Sequence, residues 1–519
     1  MARRRVAVAG DRAPMAAWIG ILTAVALYVA ACPPHDWALA GWVAPGVLLV
    51  SAGRLAPARA FAAGVAFGVL MGAGVAGWVF HAMLEYFEFD RLRAAGFAFL
   101  VWLVYGGVPF GLLTAAYASL SRHVAPVMRP PLAAWLWVTA ELVRAQCLTG
   151  LPWELLGHTQ YRQLTLVQIA DLGGVYAVSF VVVLASVAAV ESLVAVRAGL
   201  GGRLRWAGPL VMPTAVLTAT LAYGVIARAI VARTDAAAPA STVAVVQGNI
   251  PNAFRWKRAF FEQTLETYAG LTNATQPAHP DLIVWPENAA DFYLDREPLL
   301  RLQLGPVAGL ARAGLVLGGP RLASDAEARN AAYWIGPDGT VRAVYDKQRL
   351  VPFAEYDPFA RLDAPPSDGP VYTPGPEAEP IHTGAGALGV VICYEVLFPR
   401  LVSALVRRGA EVLVNLSNDS WLDRGDGAAP RQHFSMSVFR AIETRRFLVR
   451  AAASGLSGFV TPAGEIYDTI PVGTAAARVG RVAARRGLTL YVRFGDAWVP
   501  AVGLAIVAAL AAGAHRRSA

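Results

Sequence analysis

Long apolar runs limit what the first half of this chain can become. Residues 15–32, 38–53, 59–84, 94–121, 132–147, 165–195 and 206–231 are mainly apolar with few charges, and an eighth run, 497–514, lies near the end. About 20 apolar residues let an α-helix cross the hydrocarbon core of a bilayer with its backbone hydrogen bonds satisfied internally. The second and fifth runs are short and fit tilted or half-buried helices, so the expected count is about eight. Only 16% of the 519 residues are charged, against about 25% in soluble domains. The charges concentrate in 241–490, which has the mixed composition of an α/β domain. The expected organisation is a membrane domain of about seven helices at 1–232, a catalytic-sized domain at 233–496, and a transmembrane helix with its tail at 497–519.

Charge placement orients this arrangement. Arg3, Arg4, Arg5 and Arg12 precede the first run, and Arg54 and Arg59 follow the second. Arg122 and Arg129 follow the fourth, Arg197, Arg203 and Arg205 the sixth, and Arg516 and Arg517 the last. The intervening loops are acidic or mixed: Asp36, then Glu85, Glu88 and Asp90 with Arg91 and Arg93, then Glu141 and Glu154 with Arg144 and Arg162. Basic loops on alternate sides place both termini in the cytoplasm and 233–496 outside. The net charge of +9 is thereby topology, and nucleic acid is not an expected partner. Cys32, Cys147 and Cys393 are far apart and give neither a metal-ligand spacing nor a disulfide framework. No metal or cofactor is expected. The three opening arginines, the first run and Val29-Ala-Ala-Cys32 mimic a cleavable lipoprotein signal. Another apolar run follows instead of a polar tether, so the segment reads as a transmembrane helix.

Between 241 and 490 the pattern alternates. Strands are expected at 242–247, 281–285, 315–319, 331–335, 341–345, 388–392, 412–415, 449–453, 457–461 and 475–480, and helices near 257–272, 296–313, 399–409 and 431–447. That order indicates layered α/β packing. The irregular stretch 351–380 is long enough to suggest a functional or mobile loop.

Three polar residues stand at strand ends: Glu287 after Ile283-Val-Trp-Pro286, Lys347 after Val344-Tyr-Asp346, and Cys393 after Val390-Val-Ile392. A thiol attacks an acyl group as thiolate. A carboxylate can take its proton and return it to a leaving group, and an ammonium can hold the tetrahedral oxyanion. Each residue also has a commoner role: Glu287 as a helix cap, Lys347 as a solvated charge, Cys393 as a core residue.

The motifs around them decide. Trp285-Pro-Glu287, Tyr345-Asp-Lys347 with Leu350-Val-Pro-Phe-Ala-Glu355, and Cys393-Tyr-Glu395 resemble, in order, the Glu–Lys–Cys signature of the nitrilase (carbon–nitrogen hydrolase) superfamily. With the membrane runs, the chain is similar to the bacterial apolipoprotein N-acyltransferase family. Val246-Gln-Gly-Asn-Ile-Pro251 with Trp256, Asn418-Asp-Ser-Trp421, Gln432-His433, Arg440-Ala-Ile-Glu443 with Arg446 and Arg450, and Thr149-Gly-Leu-Pro-Trp153 agree. The resemblance implies an α-β-β-α sandwich on the outer face of a bacterial inner membrane. It also implies transfer of an acyl chain from a membrane phospholipid, through a cysteine thioester, to the α-amino group of a lipoprotein's diacylglyceryl-cysteine. Cys393 is then the nucleophile, Glu287 the general base and acid, and Lys347 the oxyanion stabiliser. Glu355 supplies a second carboxylate on the long loop, where it also suits a lid hinge. Tyr394, Trp256 and Trp421 support or bind, and Glu395 orients the site, with a surface charge as its alternative. The protein is expected to act as a monomer.

Some residues depart from the family pattern: Asn288-Ala-Ala-Asp-Phe292 follows the base, and Asp423 follows Leu422 where an aromatic is common. Acyl-chain and acceptor preference are the properties this touches. Phe353, Phe359, Trp256 and Trp421 lie in irregular segments and suit contacts at the headgroup boundary or packing under the long loop. His81 and Glu85 suit a headgroup site or an interfacial anchor, and His158 is similarly open. A membrane-anchored amidase releasing the acyl group to water would use the same three residues. A non-catalytic transporter would need charges along its helices, and these runs have few.

Overall fold

The computed structural model describes residues 2–197, 203–251, 256–294, 296–356, 358, 371–422 and 425–518. Phe359, Asp423 and the stretch 359–370 of the long loop lie outside the described residues. The chain forms two compact units, Met1–Ala227 with Phe494–Ala519, and Arg228–Arg493.

Five segments among the described residues are long and apolar enough to cross a membrane. They are Pro57–Val75, Arg91–Leu120, Leu166–Arg197, Ala207–Ala237 and Leu490–Ala508. Met15–Ala31 and Ala38–Ala52 are apolar but shorter. The fifth expected run, 132–147, overlaps helix Arg129–Gln146, whose Arg129, Glu141 and Arg144 dilute the helix's apolar character. The third run breaks after Val75 and resumes as Trp78–Glu85. Small residues bring helices together: a Cβ on Gly68 would lie 2.3 Å from the Gly106 backbone, so only glycine permits that approach. Gly106 belongs to a π-helical turn, Leu103–Gly107. Thr114 Oγ1, four residues from Phe110, donates to Ala60 O across the same contact at 2.7 Å. Cys32 is buried beyond the end of helix Ala2–Ala31. His81 is half-buried and Glu85 exposed. His158 is buried, its Nδ1 accepting the Leu155 N–H at 3.0 Å.

The second unit contains two sheets. In chain order its strands are β1 Ala240–Gln247, β2 Leu282–Val284, β3 Leu315–Leu322, β4 Glu327–Ile335, β5 Val341–Asp346, β6 Val371–Tyr372 and β7 Ile381–Thr383. Then come β8 Gly386–Ile392, β9 Val412–Ser417, β10 Leu448–Ala452, β11 Ser457–Val460, β12 Ile466–Ile470 and β13 Ala476–Ala483. The first sheet runs β13-β1-β2-β3-β4-β5, with β6 beside β4, and the second runs β12-β11-β10-β9-β8-β7. In each sheet three central strands are parallel, β1-β2-β3 and β8-β9-β10.

The period of two in β1 explains the layering. Val243 and Val245 join the core between the sheets, with Val390, Ile392, Val414 and Val449. Ala244 and Val246 face the other way, onto Leu265 and Tyr268 of helix Phe261–Asn273 and Leu304 and Val307 of helix Pro298–Ala308. Each fully buried Val or Leu stabilises this packing by about 1.5–3 kcal/mol. Helices Pro399–Arg407 and Ala428–Thr444 cover the outer side of the second sheet. The order of layers is α-β-β-α.

Candidate active site

The carboxyl ends of β2, β5, β8 and β9 carry the polar groups of the site. β2 leads through Trp285, whose ring stacks on Tyr268 and whose Nε1 donates to Thr272 Oγ1 at 2.9 Å. That anchor delivers Glu287, which is buried. A Cβ on Gly318 of β3 would lie 2.6 Å from Glu287 Cα, so the glycine lets the turn lie against the strand.

Glu287 is held by fixed donors. Its Oε1 accepts from Asn330 Nδ2 at 2.7 Å and from Lys347 Nζ at 3.2 Å. Its Oε2 accepts the Asn418 N–H at 2.7 Å. Glu355 Oε1 accepts from the same two donors, Lys347 Nζ at 2.9 Å and Asn330 Nδ2 at 2.8 Å, while its Oε2 accepts the Val351 N–H at 2.7 Å. Lys347 thus sits buried between two carboxylates. Burial alone would pull its ammonium down, but Glu287 and Glu355 outweigh burial and raise it above the ordinary lysine range. Asp346, next to it, is clamped by Arg321 and Arg329.

Cys393 begins the 3-10 turn Cys393–Leu397 with a φ of +51°, a left-handed conformation unusual for a side chain with a Cβ. Its Sγ lies 4.0 Å from Asn418 O. The backbone of one residue therefore touches both partners: Asn418 gives its N–H to Glu287 and turns its carbonyl to the thiol. Burial, then the Glu287 charge, pushes the Cys393 thiol up, and Lys347 opposes them in part. The surroundings thus favour the thiol over the thiolate.

Glu395 is fully buried, which removes the surface-charge alternative. Its Oε1 accepts the N–H groups of Gln348 at 2.6 Å and Arg349 at 3.0 Å. Its Oε2 accepts the Ile392 N–H at 2.7 Å and the Tyr345 hydroxyl at 2.9 Å. One carboxylate thereby ties the Lys347 turn to the cysteine strand. Burial pushes its pKa up to about 7. Tyr394 is buried, edge-on to Phe398 at 4.9 Å. Trp256 is half exposed, its backbone N–H donating to Asp291 Oδ2 at 3.1 Å, and Trp421 is half-buried.

Sequence reasoning gave no role to Asn330 or to the charges beyond Cys393. Asp419 is fully buried, with Arg450 Nη2 2.9 Å from Oδ2 and 3.1 Å from Oδ1, and Ser417 Oγ 2.7 Å from Oδ1. His433 Nδ1 lies 2.9 Å from Asp419 Oδ1 and 3.1 Å from Arg450 Nη2, so its tautomer decides which bond forms. Burial, then Arg450, lowers the His433 pKa and keeps the ring neutral. Against burial, Arg450 holds the Asp419 carboxyl well below its usual range. Cys393, Asp419 and His433 place ligand-type atoms within 4.8 Å of one another. Arg450 already bonds both Asp419 oxygens, so a cation there would compete with a guanidinium. The cluster fits a buried ion pair better than a metal centre.

Comparison with known proteins follows the two units. Residues 24–188 match the family model for the apolipoprotein N-acyltransferase N-terminal domain, and 242–479 match that for carbon–nitrogen hydrolase. An apolipoprotein N-acyltransferase of Geobacter metallireducens is 36% identical over 91% of this chain and 90% of its own length. One of Pseudomonas putida is 31% identical over 96% of each. Among solved structures, an amidase from Nesterenkonia sp. aligns with 50% of this chain and 94% of its own, at 19% identity and a TM-score of 0.38. The chain belongs to the apolipoprotein N-acyltransferase family.

Proposed function

We propose that this family member moves an acyl chain from a membrane phospholipid to the α-amino group of a diacylated lipoprotein N-terminus, with Cys393 carrying the acyl group between them. The observation that carries the reading is the Asn418 backbone, which bonds Glu287 through its N–H and lies 4.0 Å from the Cys393 sulfur through its carbonyl. Glu287 takes the thiol proton as Sγ attacks the donor ester carbonyl. The oxyanion forms against the Lys347 ammonium, and the developing charge is stabilised there. Glu287 then gives its proton to the departing glycerol oxygen, the C–O bond breaks, and a thioester and a lysophospholipid result. In the second half the acceptor amine attacks the thioester carbon while Glu287 removes one amine proton. The C–S bond breaks, the proton returns to sulfur, and an amide is left.

Glu355 and Asn330 keep the Glu287–Lys347 pair in register. Trp256 and Trp421 are assigned to lipid or acceptor contacts and Tyr394 to support of the nucleophile turn. Alternation of basic and acidic loops supports cytoplasmic termini, with the hydrolase-like unit on the outer face of the cytoplasmic membrane. The protein is proposed to act as a monomer.

Intact mass of the detergent-purified protein after incubation with phospholipid tests it. A hydroxylamine-labile acyl adduct is expected on wild type, cleared by a diacylated lipopeptide amine. No adduct on folded protein overturns the donor. Decay at one rate with or without lipopeptide makes the protein a hydrolase.

A further inference from the structure

We propose a second lipid site in the helical unit, where Arg54, Arg122 and Arg129 hold the headgroup of an anionic phospholipid. All three border one cavity of about 700 Å³, inside the 300–1,000 Å³ range of ordinary ligand sites. Its wall is apolar where Val50, Val127, Val194 and Pro209 line it. Segments Arg91–Leu120 and Leu166–Arg197, both apolar enough to cross a membrane, end beside it. A groove of this kind within a bilayer fills with lipid chains, and its basic rim then chooses the headgroup.

The rim is biased toward an anion. Arg122 donates to the Leu55 carbonyl, and Arg129 Nε donates to Ser121 O at 3.1 Å. These carbonyl ties fix the guanidinium groups without neutralising them, and each fork keeps further N–H donors. Among the lining residues the one carboxylate is Glu191, 3.8 Å from Arg129 Nη1 and bonded by the Tyr117 hydroxyl at 3.0 Å. Three cations against one anion leave an excess that a phosphodiester matches. The loop alternation that orients the chain assigns these arginines to the cytoplasmic leaflet, and the site does not depend on acyl transfer.

The test uses the full chain in detergent and native mass spectrometry. The probe is dioleyl phosphatidylglycerol with ether-linked chains, which cannot acylate Cys393, and ether-linked phosphatidylcholine is the comparison. Wild type is expected to retain the glycerol lipid preferentially, and Arg54→Gln with Arg122→Gln to lower that preference on the order of tenfold. An unchanged preference in the double variant, or none in wild type, overturns the proposal. Displacement by excess inorganic phosphate would reduce the cavity to a plain anion site and overturns the lipid assignment. Should the double variant misfold, a photoactivatable phosphatidylglycerol on wild type decides. Label is expected in the segments carrying Arg54, Arg122 and Arg129, and label elsewhere alone refutes the site.

Discussion

The two charged clusters that border Cys393 are built on opposite plans. In one, two carboxylates share a single ammonium, Lys347, and Glu355 remains partly open. In the other, one carboxylate is matched by one guanidinium and a neutral imidazole, all of them sealed from solvent. The first has a surplus negative charge beside a thiol, and that surplus is what a proton acceptor requires. The second resists a change of charge, because Arg450 does not deprotonate, Asp419 is held well below its usual range, and burial with Arg450 lowers the His433 pKa. On the proposed mechanism one cluster changes its protonation and the other stays as it is.

The contrast can be broken experimentally. The largest effect expected is from Glu287→Gln, which should lower thioester formation about 10³-fold with the melting midpoint within a few degrees of wild type. Rapid-quench intact mass measures it, and near-wild-type acylation would remove the first cluster from the chemistry. Asp419→Asn should do the reverse. Leaving Arg450 buried without its anion costs about 3–5 kcal/mol, read as a lower melting midpoint, while acylation per folded molecule falls less than tenfold. A folded, equally stable Asp419→Asn protein that cannot acylate would make the second cluster chemical.

Glu395 sharpens the contrast through pH. Its folded pKa of about 7 exceeds the usual glutamic value, so the folded state holds the proton more tightly than the unfolded one. Its stabilising contribution is full below about pH 4.3 and is lost as pH rises through 7, a change of a few kcal/mol. The midpoint of wild type relative to Glu395→Gln should therefore fall between pH 5 and pH 8. A constant difference would mean that the carboxyl does not titrate in that window. The smallest effect is assigned to Trp256→Ala: a several-fold rise in KM for the lipopeptide, with single-turnover acylation unchanged. Equal losses in both half-reactions would place Trp256 with the donor instead.

Legibility in the sequence followed the physics of each element. β1, β3, β8 and β9 are rich in Val, Leu and Ile, and their apolar runs announce buried strands. β7 and β12 escaped because Ile381-His-Thr383 and Ile466-Tyr-Asp-Thr-Ile470 are short, half-polar and at sheet edges, where pairing outweighs propensity. Glu287, Lys347 and Cys393 could be picked out because each stands just past the end of a strand, inside a short motif. Asp419, His433 and Arg450 lie in stretches that matched the family, but their meeting as one sealed cluster could not be read, since they come from a loop, a helix and a strand that meet only in space. A signal was present all the same. Arg450 interrupts Leu448-Val-Arg-Ala-Ala452, and a charge inside an apolar strand requires a buried counter-charge. Asn330 and Asn415, each within a largely buried strand, give the same hint.

The left-handed backbone at Cys393 stores strain under the proposed nucleophile. Holding a residue with a Cβ there costs about 1 kcal/mol or more. Against that cost stands the packing of a side chain buried in the core between the sheets, whose removal would leave a cavity of comparable cost. Melting temperature is therefore a poor guide at this residue, and directed evolution of this protein has to select on turnover.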